Sequence, residues 1–200
     1  MADLVLVRHG ETEWSASHRH TSWTDLPLTA RGEEQARAVA PLLAGAPALV
    51  LVSPLERARR TAELAGLHGA EQDADLREWD YGGYEGVTTD DIQRERPGWD
   101  LWTDGVAPGP PEHPGESPAE VGERADRVLA RVGHLLRDPD AGDVVLVAHA
   151  HFLRVLTARR LGLPVAGGSL FFLETGTVGR LGTEHGKPVV TAWNAGAATG

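Results

Sequence analysis

The chain contains no cysteine. Disulfides, cysteine-ligated zinc and a thiol nucleophile are thereby excluded. No apolar run approaches the roughly 20 residues that a membrane-spanning helix needs. Asp3 stands near the start, and no basic stretch followed by a long apolar run opens the chain. No signal peptide is therefore expected, and the default location is cytoplasmic. Positive charge is scarce: 19 Lys and Arg face 29 Asp and Glu, a net charge of −10. That balance argues against partnership with nucleic acid or an anionic membrane surface. Familiar site signatures are also missing, namely G-x-x-x-x-G-K-[ST], G-x-G-x-x-G and G-x-S-x-G.

What remains suits one domain. Two hundred residues with 41% hydrophobic content can bury a sizeable core, read as a single unit over 1–200. Leu4-Val5-Leu6-Val7 reads as a buried strand that ends on Arg8 and His9, with Gly10 letting the backbone turn. Residues 12–27 have no sustained period and read as a long loop, which Trp14 and Trp23 pin to the core. Thr29 can cap a helix toward Leu43, with Ala36, Val39, Ala40 and Leu43 on one face and Pro41 kinking it or ending it early. Ala48–Val52 is a second strand. It runs into Ser53-Pro54-Leu55-Glu56-Arg57, which predicts a helix capped by Ser53 with Arg57 in its first turn. Residues 76–116 form a Gly-, Pro- and aromatic-rich excursion with a short helix near Thr89–Arg96. Ser117 repeats the capping box ahead of a long amphipathic helix. Asp143–Ala148 is a third strand ending on His149, and a helix follows over His151–Leu161. Leu170–Leu173, Val178–Leu181 and Val189–Ala192 suggest further strands, antiparallel to the others. Strand–helix alternation with continuous apolar strands predicts an α/β fold. It is a three-layer α/β/α sandwich with a mostly parallel central sheet.

Three strand ends therefore carry Arg8 with His9, Arg57, and His149. In an open α/β sheet, ligands bind beyond the carboxyl ends of the strands. A lone histidine in such a place is more often structural. Two arginines and two histidines converging there make a pocket for a dianion, because guanidinium matches phosphate bidentately. Either a histidine attacks phosphorus or the histidines hold a metal. Metal sites of the phosphatase kind usually add several carboxylates, and none of the three strand ends supplies one. The reading is a site without metal or cofactor. Neutral imidazole is a nucleophile that needs no deprotonation. An ester's departing oxygen also needs a proton, and a carboxyl beside an anionic phosphate is suited to deliver it. Glu78 is the candidate, in a loop that can fold over the pocket. Glu11, Glu13, Asp80 and Glu85 are alternatives that spacing does not exclude.

Val7-Arg8-His9-Gly10-Glu11-Thr12, with Ser53-Pro54-Leu55-x-Arg57-Ala58-x-x-Thr61-Ala62, resembles the histidine phosphatase superfamily in its phosphoglycerate mutase-like branch. Leu76-Arg77-Glu78-x-x-Tyr81-Gly82-x-Tyr84-Glu85-Gly86, Gly115-Glu116-Ser117 and Val147-x-His149 extend the likeness in order along nearly the whole chain. The resemblance implies a phosphoglycerate mutase-like fold and a phosphohistidine intermediate. It implies His9 as nucleophile, Arg8, Arg57 and His149 as phosphoryl ligands, Glu78 as proton donor, and no metal. It maps substrate contacts onto Ser15, Thr21 and Ser22, where many relatives have Asn for Ser15 and Gly for Ser22. Ala150 replaces a usual glycine and keeps its backbone N–H available.

Mutases of this branch carry Trp-Arg-Arg where this chain has Trp102-Thr103-Asp104, and an acid there repels a second phosphate. The likeness is instead to acid phosphatases and sugar bisphosphatases. The expected function is hydrolysis of a small phosphorylated metabolite, with phosphate or sulfate able to occupy the site. Mutase activity and non-catalytic phospholigand binding are the alternatives. Specificity is expected from residues 12–25 and 79–115, with His20, Trp79, Tyr81 and Trp102 as the residues to watch. Leu170–Leu173 reads either as a core strand or as an edge that pairs subunits into a homodimer.

Overall fold

The computed structural model describes residues 2–43, 45–138 and 140–196. Its strands are β1 (Leu4–Arg8), β2 (Leu49–Val52), β3 (Glu71–Gln72), β4 (Val144–Ala148), β5 (Val178–Glu184) and β6 (Lys187–Ala195). They form one sheet in the order β3-β2-β4-β1-β5-β6. The first four in that order are parallel; β5 and β6 are antiparallel to their neighbours. The helices are α1 (Glu13–Ala16), α2 (Ala30–Val39), α3 (Glu56–Leu64), α4 (Thr89–Glu95), α5 (Leu101–Asp104), α6 (Pro118–Arg137) and α7 (Ala150–Arg160). None of them is long and apolar enough to cross a membrane.

Side chains alternate across a strand, so each central strand must satisfy two cores at once. Leu4, Leu6, Leu51 and Leu146 join one cluster with Val121, Val128 and Val132 of α6 and Phe152, Leu153 and Leu156 of α7. Val5, Val7, Val50, Val52, Val145 and Val147 face the other side, against Val39 of α2 and Ala58 and Ala62 of α3. Leucine thus fills the deeper layer, and short valine and alanine bring α3 close to the sheet. Each fully buried Leu or Val contributes about 1.5–3 kcal/mol.

Register converts this sheet into a site. Val7 pairs with Val147, and Val147 pairs with Val52. One step further along the three strands, Arg8, Ala148 and Ser53 share an edge. His9 and His149 lie one residue beyond.

Four expectations need correction. Ser53 does not cap α3, which begins at Glu56 behind Leu55 with no side-chain cap. The Ser53 hydroxyl lies 2.8 Å from His149 Nε2 instead, and its one bond toward the helix start is a long one, accepted from Leu55 N–H at 3.4 Å before α3 begins. Gly10 makes no positive-φ turn. It is needed because a Cβ would sit 2.2 Å from the Gly32 carbonyl oxygen. Leu170–Leu173 is not a strand: a 3-10 turn ends at Leu170, which is exposed with Phe172, and only Leu173 is buried. Trp23 is not pinned in the core; it is 38% exposed and stacks on His113 at 4.6 Å. As expected, α2 gives way to a 3-10 turn at Ala40–Leu42, where Pro41 cannot continue it, and Ser117 closes a full capping box on α6.

Candidate active site

His9 follows β1 directly and is almost fully buried. Its Nδ1 lies 2.7 Å from the Gly10 carbonyl oxygen. A carbonyl only accepts, so Nδ1 carries the proton and Nε2 keeps the lone pair. Burial, with the charges of Arg57 and Arg8, holds this imidazole well below the ordinary histidine pKa. The His149 ring meets His9 edge-on at 5.1 Å. Arg57 Nε–H donates to His149 Nδ1 (3.2 Å), so His149 Nε2–H donates to Ser53 Oγ (2.8 Å). Burial first, then the neighbouring Arg57 charge, also keeps His149 neutral.

The two site arginines are placed differently. Arg57 has no exposed surface. Besides the bond to His149, it donates to the carbonyls of Thr24 (2.9 Å), Ser22 (2.9 Å) and Thr21 (3.3 Å). Four bonds from five N–H groups leave one on Nη1, which lies 3.9 Å from Asp25 Oδ1. Arg8 donates one bond, from Nη1 to the Leu173 carbonyl at 2.6 Å, and its buried Nε has no partner among the described residues. Arg8 therefore has donors to offer a ligand; Arg57 has mostly charge.

Glu78 is 6% exposed and sits at the amino end of α7. Its Oε1 accepts from Trp79 N (2.9 Å) and Phe152 N (2.8 Å), and its Oε2 from His151 N (3.1 Å). Backbone amides at a helix start are a favourable seat for a carboxylate. Arg124 of α6 fixes the approach to it, donating to the carbonyls of Asp75, Arg77 and Glu78 and pairing with Glu116 at 2.7 Å.

Arg8, His9, Glu78, Tyr81, Ala150 and Arg154 line a cavity of about 300 Å³. Ser15 and Thr21 line it too. Ser15 also closes a capping box on α1 with Thr12. Tyr81 OH lies 2.6 Å from His151 Nδ1, and burial and the Glu78 charge push the phenol well above its ordinary pKa. Four expected contacts do not line it: Arg57 and His149 are fully buried behind His9, and Trp79 and Ser22 are engaged elsewhere. Trp79 has no exposed surface and donates Nε1–H to the Glu116 carbonyl. Ser22 does not line this cavity, and its hydroxyl donates to Glu85 Oε2 at 2.6 Å. Sequence reasoning missed Ser53, Thr61, Arg124 and Arg154. Thr61 Oγ1 accepts the Gly10 N–H at 3.0 Å. Arg124 had a visible signal, a charge inside the apolar stripe of α6. Among the described residues, no three His, Asp or Glu side chains group as a metal site.

Residues 4–196 match the model of the histidine phosphatase superfamily, branch 1. The chain belongs to that superfamily. It is 42% identical over 186 residues to an acid phosphatase of Mycobacterium tuberculosis, covering 92% of this chain and 87% of that one. It is 35% identical over 191 residues to the sedoheptulose 1,7-bisphosphatase of Saccharomyces cerevisiae, covering 80% and 68%. A mycobacterial glucosyl-3-phosphoglycerate phosphatase, solved with VO3, superposes with a TM-score of 0.80 at 32% identity, over 98% of this chain and 100% of that one. This histidine phosphatase is accordingly a phosphomonoesterase with the α/β fold of its structural neighbours.

Proposed function

We propose that His9 is the nucleophile of phosphomonoester hydrolysis and passes through a phosphohistidine. The observation that carries this is the Gly10 bond, which leaves Nε2 as the one basic nitrogen of a neutral imidazole beside Arg8 and Glu78. Nε2 attacks phosphorus, the bond to the ester oxygen breaks, and protonated Glu78 gives its proton to that oxygen. Water then attacks phosphorus. Its proton returns to Glu78, and the P–N electron pair returns to Nε2. Arg8 donates to the phosphoryl oxygens, while Arg57, buried behind His149, adds charge. The three backbone amides on Glu78 favour the carboxylate formed in the first step. The acid phosphatase and bisphosphatase relatives favour hydrolysis over mutase chemistry. The location proposed is cytoplasmic. Quenching radiolabelled substrate on the enzyme should trap an acid-labile, base-stable phosphoprotein. His9→Ala should lose both that species and turnover of p-nitrophenyl phosphate while remaining folded. Full turnover in His9→Ala would overturn the assignment.

Arg154 refines the substrate. It bonds the Gly168 and Ser169 carbonyls through Nε and Nη2 and lies over the Trp102 ring at 4.6 Å, with Nη1 unbonded among the described residues. It faces the same cavity as Arg8, which favours a substrate with a second anionic group. Arg154→Gln should lower kcat/KM about tenfold or more for a sugar bisphosphate and hardly at all for p-nitrophenyl phosphate. Equal losses on both substrates would contradict this.

A further inference from the structure

Glu85 lies outside the cavity, yet its carboxylate is fully engaged. Oε1 accepts from Ser22 N (3.1 Å) and Thr24 N (3.0 Å). Oε2 accepts from Ser22 N (2.9 Å) and Ser22 Oγ (2.6 Å). The opposite edge of the same segment gives its carbonyls, at Thr21, Ser22 and Thr24, to Arg57. Residues 21–24 are thus held between a carboxylate that takes their N–H groups and a guanidinium that takes their oxygens. Arg57 in turn sets His149 through its Nε–H, and His149 packs on His9.

We propose that Glu85 is a positioning residue of the phosphoryl site, acting through the 21–24 backbone on Arg57. This rests on the reading that Arg57 and His149 serve that site. The physical reason is orientation. Arg57 is buried with four of its N–H groups committed, so its plane follows the three carbonyls. Those carbonyls keep their direction only while something accepts the N–H groups across the segment. A carboxylate can accept along both oxygens; an amide presents one acceptor and one donor. Glu85→Gln therefore turns an NH₂ against a backbone N–H and unseats the segment. Glu85 was an alternative acid in the sequence; Glu78 lines the cavity and Glu85 does not.

The test is orthovanadate inhibition and p-nitrophenyl phosphate kinetics of Glu85→Gln, Arg57→Lys and the double variant. Glu85→Gln should raise the vanadate Ki about tenfold or more and lower kcat/KM similarly, with Tm lower by no more than about 10 °C. In the Arg57→Lys background the same change should have little further effect, because the group it positions is gone. Additive effects would overturn the proposal, as would an unchanged Ki accompanied by a lower Tm. Should Glu85→Gln not fold, Glu85→Asp carries the comparison: it keeps the charge but shortens the reach, so the vanadate Ki should rise in the wild-type background and hardly further in the Arg57→Lys background. A wild-type Ki in the folded Asp variant, or a rise equal in both backgrounds, would overturn the proposal. Failure of the phosphohistidine reading is separate, since it would appear as an active His9→Ala.

Discussion

At the residue scale, hydrogen-bond direction decides which nitrogen does chemistry. The Gly10 carbonyl fixes the His9 proton, and Arg57 with Ser53 fixes the His149 proton. Ser53→Ala tests the second arrangement. It leaves His149 Nε2–H buried without its acceptor, at a cost of about 1–3 kcal/mol. The other tautomer gives no escape, because it points Nδ1–H at Arg57 Nε–H. Urea unfolding should show that loss, and kcat/KM for p-nitrophenyl phosphate should fall about tenfold; wild-type kinetics would show that the tautomer does not matter. The places of Arg8, His9, Arg57 and His149 were legible in the sequence because each lies at the end of a buried strand or in the turn that leaves it. Ser53 was legible only as a polar residue before proline, which fits a cap as well as it fits a histidine partner. The difference is made by residue 149, and local sequence does not record who stands across the sheet.

At the element scale, close backbone approach joins β1 to α2. A Cβ on Gly10 would meet the Gly32 oxygen at 2.2 Å, and one on Gly32 would meet the Glu11 oxygen at 2.1 Å. Both obstacles are backbone and cannot rotate away. Gly32→Ala should destabilise the protein by about 3 kcal/mol and impair the site, since it pushes directly on the segment after His9. Gly133 is the contrast. It lies inside α6, and its added Cβ meets only the tip of Arg137 at 3.1 Å. Gly133→Ala should therefore stabilise by about 0.5–1 kcal/mol. Opposite shifts in chemical denaturation would bear this out; a neutral Gly32→Ala would contradict it. Element existence was readable from period and capping residues. The shape of the 76–116 excursion was not, because it is set by distant polar bonds. His20 N–H donates to the Val87 carbonyl, Gly86 N–H to the His20 carbonyl, and Ser22 and Thr24 to Glu85. No local pattern announces such pairs.

At the scale of the whole molecule, the fold hides four histidines from protons. His9, His149 and His151 are held well below the ordinary histidine pKa, first by burial and then by arginine charge, and burial lowers His20 to about 4. As pH falls below about 6.5, the unfolded chain takes up protons at these positions and the native chain refuses them. The unfolded state then binds more protons, so stability falls as pH falls, by up to about 1.4 kcal/mol per pH unit for each such histidine. Above about pH 7 the four contribute no slope. Carboxylates held low by ion pairs, such as Asp75 beside Arg127, add to the loss only near their unfolded pKa of about 4. The window from about pH 6.5 to 5 therefore belongs to the histidines. Tm followed from pH 7.5 to 5 should hold steady and then decline, and His20→Gln should flatten the decline by about a quarter, since one of four equal contributions is removed. A Tm independent of pH across that window would mean that these imidazoles titrate in the folded protein. It would also remove the basis for a neutral His9 nucleophile at acid pH.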